Sequence, residues 1–161
     1  MADTIKITTL ATAIAALSVS VTNASGSSVT LAIKDIAAIP EAVNQVDCPI
    51  LAPRPDNFIT DFSVTRDTYG ADAALKTVRY RMNYVFYFCP ALQGVGIFEK
   101  YDDMVTAAAI ILNALATNTN LSGAQDILPS GIPSFGMQVD VGGTAFHGCE
   151  ISLDVAQFME V

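Results

Sequence analysis

The most regular pattern in the chain is an alternation of apolar and polar side chains between Thr77 and Cys89. One parity is wholly apolar and consists of Val78, Tyr80, Met82, Tyr84, Phe86 and Phe88. The other parity begins with polar and charged residues, Arg79 and Arg81 among them, and becomes mixed toward Cys89. Because successive side chains of a strand point to opposite faces, the pattern predicts a β-strand with one face in the core. We expect it to be the central strand of a sheet.

Two further stretches alternate in the same way. The first has an apolar-rich parity made of Phe58, Thr60, Phe62 and Val64. The link from there to the central strand is too short for a crossover helix, so we expect an antiparallel pair. Residues 135–158 predict a C-terminal β-hairpin with Gly142 and Gly143 at its turn, where both can take a positive φ. Phe146 has the opposite parity to Cys149, which predicts a β-bulge near Gly148.

Two other stretches have helical spacing. The first stripe, which predicts an amphipathic helix within residues 1–22, is Ile7, Leu10, Ile14, Leu17 and Val21. Asp3 or Thr4 is its predicted N-cap. The second stripe, which predicts a helix over residues 98–116, is Tyr101, Met104, Val105, Ala108, Ile111, Leu112 and Leu115. We expect this helix to cover the apolar face of the central strand and residues 117–134, rich in Gly and Pro, to form a loop.

Proline dominates one segment, residues 44–58. Three prolines between Cys48 and Pro55 restrict the backbone and remove amide donors, which favours an extended segment at an edge or surface. Such a segment loses less entropy on docking than a flexible one. We therefore predict an arm that packs on a neighbouring subunit, with Ile50, Leu51 and Phe58 as apolar anchors.

The order of these elements predicts an α+β fold, a mainly antiparallel sheet with two principal helices packed on one face. The 161 residues, of which 52% are hydrophobic, predict one domain over residues 1–161 with ample material for a core. Asp3 and several hydroxyl residues interrupt the N-terminal apolar run, so we interpret it as a helix of the domain and not as a signal peptide. No stretch approaches the ~20 apolar residues of a membrane span.

Charge is distributed unevenly along the chain. The net charge is −8, and residues 99–161 hold eight acids against Lys100 alone, a net of −7. An acidic chain is a poor candidate for general nucleic-acid binding, which requires clustered Lys and Arg to displace counterions from phosphates. The C-terminal part should therefore present an acidic surface.

No stretch carries a recognisable catalytic pattern. His147 and Cys149 lie two positions apart without a third orienting group, and a structural histidine is the favoured interpretation. Asp102 and Asp103 diverge by ~100° on a helix and are best explained as dipole compensation at its N-terminus. Three widely spaced cysteines, an odd number without a Cys-x-x-Cys spacing, predict neither a disulfide framework nor a zinc site. We expect no enzyme activity, no cofactor and no metal.

Opposite charges face each other on two predicted strands. Arg79 and Arg81 project from one face of the central strand, and Glu150 and Asp154 project together from the last strand. Ordinary cross-strand pairing, worth ~0.2–1 kcal/mol per pair, explains them as well as a subunit interface does. Both interpretations stay open at this point.

Four segments together resemble small neck or tail-completion proteins of tailed bacteriophages. They are Lys34 to Val43 (KDIAAIPEAV), Cys48 to Phe58 (CPILAPRPDNF), Phe98 to Met104 (FEKYDDM) and Phe146 to Leu153 (FHGCEISL), within a resemblance that covers roughly residues 29–160. The helix-covered sheet is most similar to tail terminator proteins. That resemblance implies a hexameric ring of this chain at the head–tail junction, which ends the tail tube and docks the head.

The resemblance also implies partners and a location. The partners are other copies of the chain, a tail-tube protein and a head-completion or neck protein, with genome DNA only in transit and no membrane. The location is the virion, and the host cytoplasm before assembly.

A head-closure, other neck or minor tail protein is the first alternative. The second is a small cytoplasmic enzyme or ligand-binding domain with a pocket between helix 98–116 and the sheet.

In such a ring we predict that acids of the C-terminal part line the bore. The candidates are Asp126, Asp140, Glu150 and Asp154. Carboxylates repel DNA phosphates, which must pass the channel without being held. The competing explanation is that these charges keep an apolar-rich subunit soluble before assembly.

Overall fold

The structure is a computed structural model that describes residues 4–40, 42–66, 75–91, 100–118, 125–131, 135–139 and 143–160. Its two helices are α1 (Ile7–Ala15) and α2 (Tyr101–Thr117). Its strands are β1 (Ser20–Thr22), β2 (Ser28–Thr30), β3 (Ala32–Ile33), β4 (Ile50–Pro53), β5 (Ile59–Arg66), β6 (Leu75–Pro90), β7 (Gln125–Gly131), β8 (Phe135–Val139) and β9 (Ala145–Glu160). Short 3-10 turns lie at Ile36–Ala38 and Gln45–Asp47.

Two long antiparallel strands, β6 and β9, form the middle of the main sheet. Leu75 lies opposite Glu160 at one end, and Pro90 lies opposite Phe146 at the other. Toward the Leu75 end the strand order is β5-β6-β9-β7, and toward the Pro90 end it is β3-β4-β6-β9-β8. Only the short β3–β4 pair is parallel among the described strands. The predicted central strand and the mainly antiparallel α+β fold are confirmed.

Both helices pack on the same face of this sheet, as the sequence predicts. The apolar parity of β6 is buried there with Leu10 and Ile14 from α1 and with Met104, Ala108 and Ile111 from α2. The core-facing residues of β9, Cys149 to Val155 at alternate positions, complete this cluster. Burial of the continuous apolar stripe of β6 is therefore the main hydrophobic contribution to the fold.

The opposite face of the sheet is covered at one end only. A second, smaller buried cluster at the Pro90 end consists of Val43, Ile50, Ala52, Val85, Tyr87 and Phe146. It explains why the polar parity of β6 becomes apolar at Val85 and Tyr87. At the Leu75 end the same face carries exposed residues, among them Arg79 and Asp154. Half of this face thus has no covering layer among the described residues.

The N-terminal helix is shorter than its apolar stripe predicts. It ends at Ala15, and Val21 lies in β1, because the β-branched and serine residues after Leu17 favour extended structure. The prediction of Thr4 as the N-cap is wrong, because Lys6 takes that position. Its side chain makes no capping hydrogen bond. Asp3 lies outside the described residues.

The predicted loop over residues 117–134 is wrong in part. Gln125–Gly131 is a strand that pairs antiparallel with β9. Pro129 is compatible with it because β7 is at the edge of the sheet, where an amide donor on the outer side is not needed. Helix α2 runs through Thr117, and Tyr101, predicted as the first residue of its apolar stripe, is exposed.

The proline-rich segment is not a free arm. Its residues 50–53 form β4 inside the sheet, where Ile50 and Leu51 are 2% and 0% exposed, and Phe58 packs edge-on against Tyr84 with ring centroids 5.5 Å apart. These three predicted anchors are therefore used within the subunit. Pro53 is tolerated in β4 because β3 pairs with β4 only at Ile50 and Leu51. The N–H donor that proline lacks is therefore not needed for pairing with β3.

The C-terminal hairpin is confirmed, with Val139 opposite Ala145 and Gly143 at φ +86°. Gly142 lies outside the described residues. The predicted bulge is displaced to the neighbouring strand. The β6–β9 register shifts between Tyr87 and Cys89, so the extra residue is Phe88 on the central strand. Phe146 and Cys149 keep opposite parity without a bulge because both faces of the sheet are buried at this end.

Candidate interaction surface

The uncovered half of the sheet is the candidate functional surface, which we call the open face. It is formed by Asp61, Ser63, Arg79, Arg81, Asp126, Leu128, Asp154, Ala156 and Phe158. Four strands contribute these residues, in the order β5, β6, β9 and β7. Alternation along each strand directs them away from the helices.

Arg81 is held between two carboxylates of its own subunit. Its Nε donates to Asp154 Oδ1 at 2.9 Å, and its Nη1 lies 3.4 Å from Asp61 Oδ2. The hydrogen bond to Asp154 is the main cause of a raised pKa of Arg81. Arg81 and Asp154 are register partners, so for this pair cross-strand pairing within one subunit is the correct interpretation. Both side chains are partly exposed, which limits the pair to about 1 kcal/mol.

A β-bulge presents Asp61 to Arg81. The β5–β6 register shifts between Thr60 and Ser63, and Asp61 within this irregularity has φ 55°. Asp is one of the few residues that adopt this left-handed conformation at low cost. The sequence pattern of β5 predicts regular alternation here and does not indicate the bulge.

Arg79 and Asp126 are the two charged groups of the open face without an ion pair among the described residues. Both are exposed, and they line a shallow hollow of about 320 Å³ together with Asp61, Arg81 and Asp154. The open face therefore offers one cation and one anion to a partner. Arg79 stays a candidate for the interface, whereas Arg81 is already neutralised.

Two large apolar side chains also lie on the open face. Leu128 on β7 and Phe158 on β9 are 53% and 54% exposed. Isolated exposed apolar residues are common, but here they lie on a part of the sheet that no other described element covers. Leu128 borders the hollow of the unpaired charges. This combination is typical of a surface that packs against another protein.

The four predicted channel residues do not form one group. Asp126 and Asp154 both border the hollow of the open face. Glu150 lies nearer the Pro90 end and pairs with Arg54, with 3.2 Å between Glu150 Oε1 and Arg54 Nη1. Asp140 lies outside the described residues. The sequence alone does not indicate the ion pair of Arg54, because its partner Glu150 lies 96 positions away.

A buried polar network separates the two halves of this face. Asn83 Nδ2 donates to Asn57 O at 2.9 Å and to Thr60 Oγ1 at 3.0 Å. Ser152 Oγ donates to Asn83 Oδ1 at 2.8 Å. The Asn83 side chain thus has three partners and fixes β5, β6 and β9 relative to each other.

The candidate catalytic residues of the sequence lie in positions that do not favour catalysis. His147 and Cys149 are buried, and burial raises the pKa of the Cys149 thiol to about 12, the reverse of an activated nucleophile. Asp102 and Asp103 are exposed in the first turn of α2. The described residues contain no group of three His, Cys, Asp or Glu side chains suited to a metal ion, and no described helix is long and apolar enough to cross a membrane.

The space between α2 and the sheet, considered as a ligand pocket, is filled by side chains. Met104, Ala108 and Ile111 are almost completely buried there against the apolar face of β6. Two hydroxyls in the core, Tyr80 Oη and Tyr84 Oη, have no hydrogen-bond partner among the described residues. Burial raises the pKa of both phenols, that of Tyr80 to about 12. In the sequence, both tyrosines fit the apolar parity of the central strand and are predicted as ordinary core residues.

Comparisons with known proteins add no family. No protein-family model matches the chain, and no curated protein matches it significantly. Function must therefore be inferred from the open face and from the sequence resemblance.

Proposed function

We propose that this chain is a structural virion protein of a tailed phage, which assembles into a ring at the head–tail junction, ends the tail tube and docks the head. The phage assignment depends on the resemblance of residues 29–160 to neck and tail-completion proteins. The assembly assignment depends on the open face. Each part has its own test.

The observation that carries self-assembly is the uncovered half of the sheet. Helices cover one face of β6 and β9, whereas the other face at the Leu75 end exposes Leu128 and Phe158. Arg79 and Asp126 supply unpaired charges of opposite sign on the same surface. A second copy offers matching groups, so Arg79 of one subunit can pair with Asp126 of the next while the apolar side chains are buried between them.

The acidic surface has a role in this proposal. Asp126 and Asp154 lie on the open face, and Glu150 lies further along the same strand as Asp154. Where such residues border the bore of the ring, their charge keeps DNA from binding to the wall. Asp154 and Glu150 are each neutralised in part by an arginine, and Asp126 pairs with Arg79 of the next subunit in this arrangement, so these three acids would give the bore only a weak negative charge.

The test of assembly is the mass of the purified protein in solution. We expect a multiple of the 17.0 kDa subunit, with rings visible by negative-stain electron microscopy. The double variant Leu128→Asp, Phe158→Asp should give a monomer that is folded by circular dichroism and whose melting temperature does not depend on protein concentration. The matched control is Ile110→Asp on α2, which changes an exposed apolar residue on the helix side and should leave the assembly intact. A wild-type monomer at micromolar concentration refutes self-assembly.

The phage assignment is tested by gene deletion in the phage that encodes the chain. Loss of a tail terminator leaves tails without a defined end and heads that do not join them. Loss of a head-closure protein, the first alternative, leaves normal tails and heads that do not retain DNA. Particles with normal heads, tails and infectivity refute a role in the virion.

The ligand-binding alternative has one observation in its favour, the hollow of about 320 Å³ on the open face. Its charged lining of Arg79, Asp126 and Asp154 suits a small zwitterion better than an apolar molecule. A thermal-shift screen of amino acids and small zwitterions tests it. Stabilisation that Arg79→Ala abolishes, in a protein that stays monomeric, favours this alternative over assembly.

A further inference from the structure

The fold brings together two cysteines that are far apart in the sequence. Cys48 precedes β4 and Cys89 lies near the end of β6, and both line one hollow of about 250 Å³. The rest of that lining comes from Asn23, Ala24, Ser25, Phe88 and Pro90. Both cysteines are free thiols, Cys48 half-buried and Cys89 buried. Two free thiols that line one hollow are a candidate pair for disulfide formation.

Strand register supports this proximity. Ile50 and Tyr87 are the last pair of the β4–β6 ladder, and Cys48 and Cys89 each lie two residues beyond it, Cys89 just after the bulge at Phe88. The backbone of Cys48 is extended, with φ −70° and ψ 142°. Neighbouring strands lie about 4.8 Å apart, so two cysteines at the same end of such a ladder are near the Cα separation of about 4.4–6.8 Å that a disulfide requires.

The electrostatics of the two thiols point the same way. The pKa of Cys48 is raised to about 11, first by burial and next by the charge of Cys89, with Asp47 contributing less. A charge affects a pKa over several ångströms, so this influence agrees with both thiols lining the same hollow. The third cysteine, Cys149, lies opposite Phe86 in the same buried cluster as Cys89, but no other cysteine contributes to its raised pKa.

We propose that Cys48 and Cys89 are a dithiol site that a small disulfide oxidant, such as oxidised glutathione, converts into an internal disulfide. Cys48, the more exposed of the two thiols, attacks the oxidant as its thiolate, which its raised pKa makes a small fraction at neutral pH, so the reaction should be slow there and faster at alkaline pH. The attack forms a mixed disulfide and releases one reduced thiol. The thiolate of Cys89 then attacks the sulfur of Cys48 and releases the second. The two protons of the cysteines end on the two released thiols, and the two electrons reduce the oxidant.

The disulfide would tie the start of β4 to the end of β6. It closes a loop of roughly 40 residues, which restricts the unfolded chain and should raise the melting temperature by roughly 10 °C. This inference is independent of the proposed ring and is tested on the protein alone. For a virion protein, the passage from a reducing cytoplasm to the outside supplies the change of redox conditions.

The experiment compares reduced protein with protein incubated in oxidised glutathione. Remaining thiols are alkylated, and peptides are mapped by mass spectrometry without reduction. We expect one crosslink, between the peptides of Cys48 and Cys89, with Cys149 alkylated. The melting temperature should rise, and a reducing agent should reverse the rise. Cys149→Ser is the matched control and should behave like the wild type.

Cys48→Ser decides the outcome, because this residue is half-buried and its replacement carries a smaller folding cost than replacement of Cys89. In this variant the crosslink and the rise in melting temperature should both disappear. A wild-type protein in which glutathione stays on Cys48, or in which Cys149 takes part in the crosslink, overturns the pairing. A Cys48–Cys89 crosslink without a change in melting temperature overturns the stabilising role.

Discussion

Gln157, near the end of the last strand, holds the beginning of the chain in place. Its Oε1 accepts a hydrogen bond from the Lys6 N–H at 3.0 Å, and its Nε2 donates to the Thr4 carbonyl at 2.7 Å. The side chain is only 1% exposed, so both of its polar ends are satisfied inside the protein. Gln157 thereby satisfies the amide of the N-cap residue Lys6, whose own side chain makes no capping hydrogen bond.

The first prediction concerns this contact. Gln157→Leu removes both hydrogen bonds and leaves the Lys6 N–H without its partner, so the free energy of unfolding should fall by about 1–3 kcal/mol. Amides of α1 should exchange with deuterium faster than those of α2. Gln157→Glu is the control, because it keeps an acceptor for Lys6 but has no donor for Thr4. Unchanged protection of α1 in Gln157→Leu contradicts the assignment.

The second prediction tests the core face of the central strand. Phe86 is completely buried between the sheet and the helices, so Phe86→Asp places an uncompensated carboxylate in an apolar site. We expect loss of soluble folded protein, at a cost of more than about 4 kcal/mol. Phe158→Asp is the matched control and should stay folded, because Phe158 is exposed on the open face. Circular dichroism and solubility distinguish the two; a native melting curve for Phe86→Asp refutes this core.

The elements that the sequence predicts well have one face in the core and one in solvent. Strand β6 alternates because helices cover one of its faces, and α2 shows helical spacing because it covers that same face. The hairpin of β8 and β9 has an added local signal in its glycine turn. In β6 and α2, periodicity in the sequence therefore reports burial directly.

Prediction from the sequence fails for strands whose buried residues do not recur at one regular spacing. Strand β4 is buried on both faces, Leu51 in the main core and Ile50 in the second cluster, so its short apolar run shows no alternation. Its prolines suggest a surface segment because nothing in the sequence shows that β3 stops pairing before Pro53. Strand β7 contains Pro129, which only an edge position makes acceptable.

The candidate surface could be predicted only in part, for a related reason. Arg81 and Asp154 each stand out as charges on the solvent parity of a strand, but their pairing depends on a register that the sequence does not encode locally. The same holds for Arg54 with Glu150 and for Cys48 with Cys89. Contacts between strands that are far apart in the sequence depend on how the sheet assembles. The alternation of apolar and polar residues, in contrast, is visible within each strand.

The third prediction separates β4 from a free arm. Leu51→Ser should lower the free energy of unfolding by about 2–5 kcal/mol, because it leaves a cavity and a hydroxyl in the core. Val46→Ser, in the same segment but exposed, should change stability by less than about 0.5 kcal/mol. Urea unfolding of the two variants measures this. Native stability of Leu51→Ser together with weakened assembly supports the arm instead.

The fourth prediction concerns alkaline pH. Burial raises the pKa of Cys149 from 9.0 to about 12 and that of Tyr80 from 10.0 to about 12. Both groups are therefore neutral in the folded protein at a pH where the unfolded chain has begun to ionise. The unfolded chain then binds fewer protons than the folded protein, so the free energy of unfolding decreases as pH rises. The loss begins near pH 9 and is complete near pH 12.

Cys149 allows this prediction to be tested at one residue. Its raised pKa alone should lower the free energy of unfolding by about 3 kcal/mol between pH 8 and pH 11, because a tenfold difference in proton affinity between the folded and unfolded states corresponds to about 1.4 kcal/mol. Urea unfolding under reducing conditions at several pH values measures the slope. Cys149→Ala should be less stable at pH 8, because it loses buried sulfur contacts, but its stability should fall less steeply toward pH 11. Val105→Ala, a truncation beside the core without a titrating group, should lose stability equally at all pH values. An alkaline slope in Cys149→Ala that equals the wild-type slope would show that this thiol ionises as readily in the folded protein as in the unfolded chain.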